Sequence, residues 1–276
     1  MNITFLGTAA AEGIPFPFCD CLTCNHAREH RGRNIRKRQS ILINRDALID
    51  PGPDLYASCA QLGMSLTELR HVLVTHNHPD HFQPVNLQFR AKGFRQQTDL
   101  PLLTLIAPPS VLATWDRFGS NDASAEISRV PFLPGDSLSV PPYRVEAIEA
   151  THIEEAMNYI IDDGRSKLLY ACDTGLYRDR VWNALEAHRL DAVIMECTLG
   201  SRMSARTHMS VGHMKTMLDR MRLLGCIDDR TQLFATHFSH QQVEPHEPLS
   251  RMLLEEAGVQ CAYDGMVLTL GEEHSA

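Results

Sequence analysis

Three imidazoles and one carboxylate lie within the six-residue sequence His76-Asn77-His78-Pro79-Asp80-His81. The apolar residues 72–74 directly before it indicate a buried strand, so the motif should lie on the loop that leaves the strand's end. Neutral imidazole and carboxylate groups are the usual protein ligands of zinc, manganese and iron. Four such groups on so short a segment would crowd one small ion, so the spacing favours two ions.

The second half of the chain supplies the remaining ligand types. Apolar, strand-like segments there end on His152, Asp173, Glu196 and His237. We assign His76, His78 and His152 to one ion and Asp80, His81 and His237 to the other, with the Asp173 carboxylate bridging them. Two ions about 3.5 to 4 Å apart can share a water and lower its pKa. They can also stabilise the attacking oxygen and the leaving oxygen of a displacement reaction. This chemistry predicts a hydrolase.

A separate thiol cluster, Cys19-x-Cys21-x-x-Cys24, suits a tetrahedral zinc site that lacks its fourth ligand. His240 follows His237 by three residues, and an odd offset in an extended segment turns the two side chains to opposite sides. His240 is therefore the predicted fourth ligand of a closed structural zinc site, which would contribute folding energy. The alternative is a set of buried free thiols.

Composition limits the function classes. The 276 residues are 43% hydrophobic and 22% charged, which fits one globular domain over residues 1–276 that buries roughly 70 to 75% of its unfolded surface. The net charge of -8 argues against a nucleic-acid partner.

The amino terminus lacks a signal-peptide pattern and no apolar run spans a bilayer, so we expect a cytoplasmic protein without a membrane partner. The oligomeric state stays open, a homodimer included.

One segment is locally basic, and its members are Arg28, Arg31, Arg33, Arg36, Lys37 and Arg38. We interpret it as a solvated surface in preference to a contact with RNA or an anionic substrate.

Strands alternating with helices, and ligands gathered at strand ends, indicate a layered α/β fold with a site along one edge. Residues 119–143, rich in Gly, Pro and Ser, are the predicted connection between its halves. Gly7-Thr8 predicts a loop with a close backbone approach, and Ser65-Leu66-Thr67-Glu68 has the spacing of a capping box that starts a helix. Asp50 ends a strand, where it could orient a metal-bound histidine or satisfy donors of its own turn.

The motif His76-x-His78-x-Asp80-His81, with distant His152, Asp173 and His237, resembles the signature of the metallo-β-lactamase superfamily. This resemblance implies a four-layer αββα sandwich with the metals at one edge of the facing sheets. Asp50 matches the first motif acid of the superfamily, which favours its role in orienting a metal ligand.

Within the superfamily, four features are most similar to the cyclic phosphodiesterases of the carbon-phosphorus lyase pathway. They are Gly7-Thr8, the cysteine motif, Thr236-His237-x-x-His240 and Asp264-Gly265-Met266. The resemblance implies a small substrate, the cyclic phosphate of a phosphorylated ribose or a cyclic nucleotide, with manganese or zinc in the catalytic site and a structural zinc beside it.

By the same resemblance His208 meets the substrate phosphate and acts as general acid, so His208 and the ligand Asp80 are the predicted catalytic residues. The alternative for His208 is a loop residue that packs near Ser210. Ribonuclease Z-like and lactone or thioester hydrolase activities are alternative enzyme functions. A non-catalytic accessory protein similar to the pyrroloquinoline quinone biosynthesis B protein is the alternative from another class.

Overall fold

The computed structural model describes residues 1–96, 99–202 and 206–271. Its strands are β1 Asn2–Gly7, β2 Ser40–Ile43, β3 Ala47–Ile49, β4 His71–Leu73, β5 Leu103–Ala107, β6 Ile127–Pro131, β7 Ser137–Val140, β8 Tyr143–Glu149, β9 Met157–Asp162, β10 Lys167–Ala171, β11 Ala192–Glu196, β12 Gln232–Thr236, β13 Gln260–Cys261 and β14 Val267–Thr269. Within these described residues they form two seven-stranded sheets, in the orders β14-β1-β2-β3-β4-β5-β6 and β13-β12-β11-β10-β9-β8-β7.

The helices cover the outer faces of the sheets. They are α1 Leu22–His30, α2 Leu55–Leu62, α3 Pro84–Gln88, α4 Pro109–Arg117, α5 Asp122–Ala125, α6 Asp179–Leu185, α7 Val211–Leu223 and α8 His246–Ala257. Helices α2 to α5 pack on the first sheet, and α1 and α6 to α8 pack on the second. A third buried cluster fills the space between the sheets. The predicted αββα architecture is confirmed.

Strand alternation explains why the sheets stack in this way. In β12, Leu233 and Ala235 face the helices while Phe234 faces the opposite sheet. Successive side chains of a strand point to opposite faces, so a strand that is apolar throughout buries both faces. No helix in the described part of the chain is long and apolar enough to cross a membrane.

One prediction of local structure is right only in part, and another is wrong. Residues 119–143 do connect the two halves, since the chain passes from the first sheet to the second between β6 and β7, but they also contain α5 and these two strands. β6 and β7 are edge strands with mixed exposure, so they lack the apolar run that marks a buried strand. The Ser65 capping box starts no helix, since the Ser65 hydroxyl accepts from the Thr67 backbone N–H at 3.4 Å and forms a local turn.

The close backbone approach predicted at Gly7 is present, and Gly52 makes a second one. A Cβ at Gly7 would lie 1.9 Å from the Arg38 carbonyl oxygen, and one at Gly52 would lie 1.9 Å from that of Asp80. Both contacts are with backbone, which cannot rotate away. Glycine at position 52 therefore lets the Asp50 turn lie directly against the metal-ligand loop.

We expect Gly52→Ala to destabilise the protein by about 3 kcal/mol or more, because the added methyl forces two backbone segments apart. Thermal unfolding measures this loss. Gly93→Ala is the matched control, since a Cβ there meets nothing within 4 Å and the melting temperature should stay close to that of the unmodified protein. Equal melting temperatures for the two variants would contradict the packing described.

Candidate metal centre

The predicted ligands leave the carboxyl ends of strands in both sheets. β3 leads to Asp50 and β4 leads to residues 76–81, while β8, β10 and β12 lead to His152, Asp173 and His237. Because β3 pairs with β4 in parallel, and β10, β11 and β12 pair in parallel, their carboxyl ends meet at one edge of the sandwich. The two halves of the sequence motif are thereby brought together.

The first group of donor atoms comes from His76, His78, His152 and Asp173, and all of them lie within 4.8 Å of one another. His76 Nε2 lies 2.8 Å from His78 Nδ1 and 3.2 Å from Asp173 Oδ2. His152 Nε2 lies 3.3 Å from His78 Nδ1. This is the set that the sequence assigned to one ion.

The second group also converges on Asp173 and contacts both of its carboxylate oxygens. His237 Nε2 lies 3.1 Å from Asp173 Oδ1, and His81 Nε2 lies 3.0 Å from Asp173 Oδ2. Asp80 Oδ2 lies 3.2 Å from His81 Nε2 and 3.9 Å from His237 Nε2. The Cys172 thiol also reaches this group, but burial raises its pKa well above the usual value and keeps the thiol protonated.

The donor set fits divalent cations. His81 Nε2, His237 Nε2 and Asp173 Oδ1 are buried and lie 3.0 to 3.1 Å from neighbouring donor atoms, yet within the described part of the chain none of them makes a well-directed hydrogen bond, although buried polar atoms are normally paired. Burial alone would raise the pKa of Asp173, but the imidazoles of His237 and His81 hold it well below its usual range. An ionised carboxylate among converging imidazole nitrogens is what a pair of cations would need.

Asp50 holds one of these imidazoles in place. Its Oδ2 accepts from His81 Nδ1 at 2.9 Å, and its Oδ1 accepts from the Thr75 backbone N–H at 2.8 Å. The first bond leaves His81 Nε2 free to face the site. Asp50, Asp173 and His237 all have left-handed backbones, with φ of 57, 53 and 58°. Strained backbone at non-glycine residues concentrates at functional sites.

A buried network under His208 and His237 was missed at the sequence level. Glu196 is fully buried and accepts from His208 Nδ1 at 3.0 Å and from the Thr198 hydroxyl at 2.5 Å. Thr198 Oγ1 also lies 2.9 Å from His237 Nδ1. Glu196 therefore orients two histidines of the site. Its place at the end of β11, beside the ends of β10 and β12, was the signal that could have revealed this role.

His208 lies at the rim of the second group. Its Nδ1 is 3.5 Å from Asp173 Oδ1, and its ring stacks on that of His237 with centroids 6.0 Å apart. Burial lowers the pKa of His208, but the hydrogen bond to Glu196 and the surrounding carboxylates outweigh it and raise the pKa to about 9. The imidazole is thus held as a cation over the Asp173 carboxylate.

The thiol cluster and His240 also meet in space. The sulfurs of Cys19, Cys21 and Cys24 and a ring nitrogen of His240 lie within 4.8 Å of one another, with Cys21 Sγ 3.5 Å from His240 Nδ1. Burial raises the pKa of Cys21, but hydrogen bonds with His240 and its neighbours lower it to about 7. Cys21 is thus close to the thiolate form that a zinc site requires, whereas burial raises the pKa of Cys24 to about 11, and a bound zinc would have to deprotonate that thiol.

The interpretation of the basic segment as a solvated surface is wrong for four of its members. Arg28 donates to the carbonyls of Phe16 and Cys19 and so supports the cysteine loop. Arg36 is buried, while Lys37 and Arg38 pair with acidic side chains at 3.5 and 2.8 Å. These cations stabilise the fold, which removes most of the support for an RNA contact.

Comparison with solved structures shows the fold of the chain. A diphosphatase from the PhnP family matches with a TM-score of 0.75 and 20% identity, over 97% of this chain and 96% of that one. Zn(2+)-bound PqqB from Methylobacterium extorquens matches with a TM-score of 0.77 and 18% identity, over 98% and 100%. The short form of human tRNase Z matches with a TM-score of 0.64 and 17% identity, over 98% and 99%.

No curated protein sequence gives a significant match to the chain. The profile of one family, described as Beta-lactamase superfamily domain, matches residues 45–238, which is more than half of the chain and includes both donor groups. The fold implies divalent metal ions at the edge where these ligands converge. The chain belongs to the family of Beta-lactamase superfamily domains, and it has the metallo-β-lactamase fold of a metal-dependent hydrolase.

Proposed function

We propose that the protein is a dinuclear metal-dependent phosphodiesterase that opens small cyclic phosphate esters. The observation that carries this proposal is the position of His208, which Glu196 holds beside Asp173, the carboxylate that the two donor groups share. Hydrolysis of a phosphodiester needs an activated water on one side of phosphorus and a proton donor for the departing alkoxide on the other.

His76, His78 and His152 would hold one ion, and Asp80, His81 and His237 would hold the other, with Asp173 between them. When bound, such a pair of ions lowers the pKa of a water and neutralises charge on the phosphate oxygens. The residues around the ion pair orient its ligands. Asp50 fixes the ring of His81, and Thr198 fixes the ring of His237.

His208 would protonate the leaving alkoxide. Its Nδ1 is occupied by Glu196, so Nε2 is the nitrogen that can donate to a substrate. The side chain keeps 26% of its exposure, in contrast to the buried ligands His81 and His237. Bound cations would lower its pKa from about 9 toward neutrality, where a general acid is most effective.

A cavity of about 790 Å³ adjoins the site and has the size of a small-molecule pocket, but it includes only His152 of the two donor groups. Its charged lining is mainly acidic, with Glu146, Glu149, Glu154 and Glu155 against Arg178 and Arg180, and both arginines pair with Glu149. The cavity therefore fits a small molecule by size and does not itself select an anionic one. The internal pairing of the basic segment disfavours RNA, and the complete ligand set disfavours the accessory-protein alternative.

A substrate panel tests the proposal. The chain, reconstituted separately with manganese and with zinc, would be assayed on a 2′,3′-cyclic nucleotide, bis(p-nitrophenyl) phosphate, a tRNA precursor and a lactone. We expect the highest kcat/KM on the cyclic phosphate. Hydrolysis of the lactone or the precursor with no activity on either phosphodiester would contradict the proposal.

We also propose a structural zinc bound by Cys19, Cys21, Cys24 and His240. Cys24→Ser should remove one tightly held zinc per chain and destabilise the protein, since a closed zinc site contributes to folding. Elemental analysis together with thermal unfolding measures both effects. Cys226→Ser, at a buried thiol remote from the cluster in the described contacts, is the control that should keep its zinc. Unchanged zinc content in Cys24→Ser would contradict the assignment.

A further inference from the structure

Helix α4 contacts ligand-bearing loops from both sheets. The Thr114 hydroxyl donates to Asn77 Oδ1 at 2.8 Å, and Asn77 lies between the first two histidines of the motif. The backbone N–H of Ser110 donates to Glu155 Oε2 at 2.9 Å, three residues after His152. Ser110 and Thr114 are one helical turn apart, so both contacts come from the same face of the helix.

The helix itself is firmly anchored. Val111, Leu112 and Trp115 are buried in the core outside the first sheet. The indole N–H of Trp115 also donates to Asp122 Oδ1 at 2.6 Å. Because its inner face is fixed in this way, α4 can hold the loops in place and does not simply follow them.

Both contacts have features that favour one geometry. The Thr114 hydroxyl reaches two acceptors, Asn77 Oδ1 at 2.8 Å and the Ser110 carbonyl oxygen at 3.2 Å, and the shorter distance favours Asn77. Glu155 has a left-handed backbone with φ of 61°, which costs free energy at a non-glycine residue. The Glu155 carboxylate accepts a hydrogen bond from the Ser110 N–H in the first turn of α4, and this donor has no partner within the helix.

The supports of the two donor groups overlap in part. Thr75 Oγ1 lies 3.0 Å from His76 Nδ1 and is bonded to Asp50, which also orients His81. The contacts of α4 differ from this shared support, because they are made to residues next to His76, His78 and His152. Among the described residues, no hydrogen bond joins α4 to Asp80, His81 or His237.

We propose that α4 sets the spacing of the His76-His78-His152 group, and we call the helix the brace of this group. Thr114 and Glu155 are then positioning residues for the ion held by that group and not for the ion held by Asp80, His81 and His237. This inference rests on the proposed dinuclear function. Outer contacts of this kind typically change metal affinity by 10- to 100-fold. The brace would let the protein bind its two ions with unequal affinity although the ligand types are similar.

The test measures metal binding and not turnover. Protein treated with a mild chelator that leaves the thiolate-bound zinc would be titrated with Co²⁺ against a competing indicator, which yields two dissociation constants. His152→Ala identifies the constant that belongs to the braced group. Thr114→Val and Glu155→Ala remove the contacts, whereas Thr114→Ser and Glu155→Gln keep a donor and an acceptor and are the matched controls.

We expect Thr114→Val and Glu155→Ala each to raise the braced dissociation constant by about tenfold. The other constant should stay within about twofold, and the Ser and Gln variants should match the unmodified protein. Equal weakening of both ions, no change in either, or equal effects of the controls would overturn the proposal. Thermal unfolding of each variant excludes a general loss of structure. If the unmodified protein binds no pair of ions, the dinuclear function fails instead.

Discussion

Replacing Asp173 with alanine should lower kcat/KM for phosphodiester hydrolysis by about four orders of magnitude. Asp173 is the one carboxylate that contacts both donor groups, through Oδ2 at 3.2 Å from His76 and Oδ1 at 3.1 Å from His237. Without it, two cations would face each other across a buried space with no negative charge between them. Both the occupancy and the relative position of the ions should then be lost.

Steady-state kinetics and elemental analysis of the same preparation measure these two consequences. Asp116→Ala is the control, because Asp116 is exposed and pairs with Arg129 at the surface. Removal of a buried charged group can also destabilise the fold, so the melting temperature should be determined for the metal-free and metal-loaded proteins. Retention of two exchangeable ions and near-normal kcat in Asp173→Ala would show that the bridging assignment is wrong.

The second large effect is expected for His208→Ala, and its size should depend on the leaving group. General-acid catalysis is typically worth 10²- to 10⁴-fold, so we expect a loss of about a thousandfold on a substrate that releases an alkoxide. A p-nitrophenolate needs no proton to depart, and for that ester the loss should be less than about tenfold. Parallel kinetics on the two substrates measure the difference. The same loss on both would contradict proton donation by His208.

Glu196→Gln offers a further test of His208 as the general acid. A general acid works in its protonated form, so activity on the alkoxide-releasing substrate should fall as pH rises through the pKa of His208. The Glu196 carboxylate raises that pKa, and its neutralisation should move the alkaline limb of the pH profile to lower pH. An unmoved limb would indicate that another group controls it.

The convergence of the candidate metal ligands could be predicted because each follows an apolar strand, and strand ends in parallel pairs meet at one edge. Glu196 also ends a strand at this edge, which marks it as part of the site, but the sequence does not show that Thr174 and Met209, 22 and 13 residues away, are its partners. Arg36 was misread for the same reason. Its buried guanidinium donates to the Ala262 carbonyl, 226 residues distant, and a local run of positive charge does not reveal such a partner.

Metal reconstitution tests the central claim most directly. Chelator-treated protein that keeps its thiolate-bound zinc would receive increasing equivalents of Mn²⁺, and hydrolysis of a cyclic phosphodiester would be measured after each addition. The dinuclear site predicts that activity rises until two equivalents are bound and then stays constant. A plateau at one equivalent, or no hydrolysis at any ratio although two ions bind, would contradict a dinuclear phosphodiesterase.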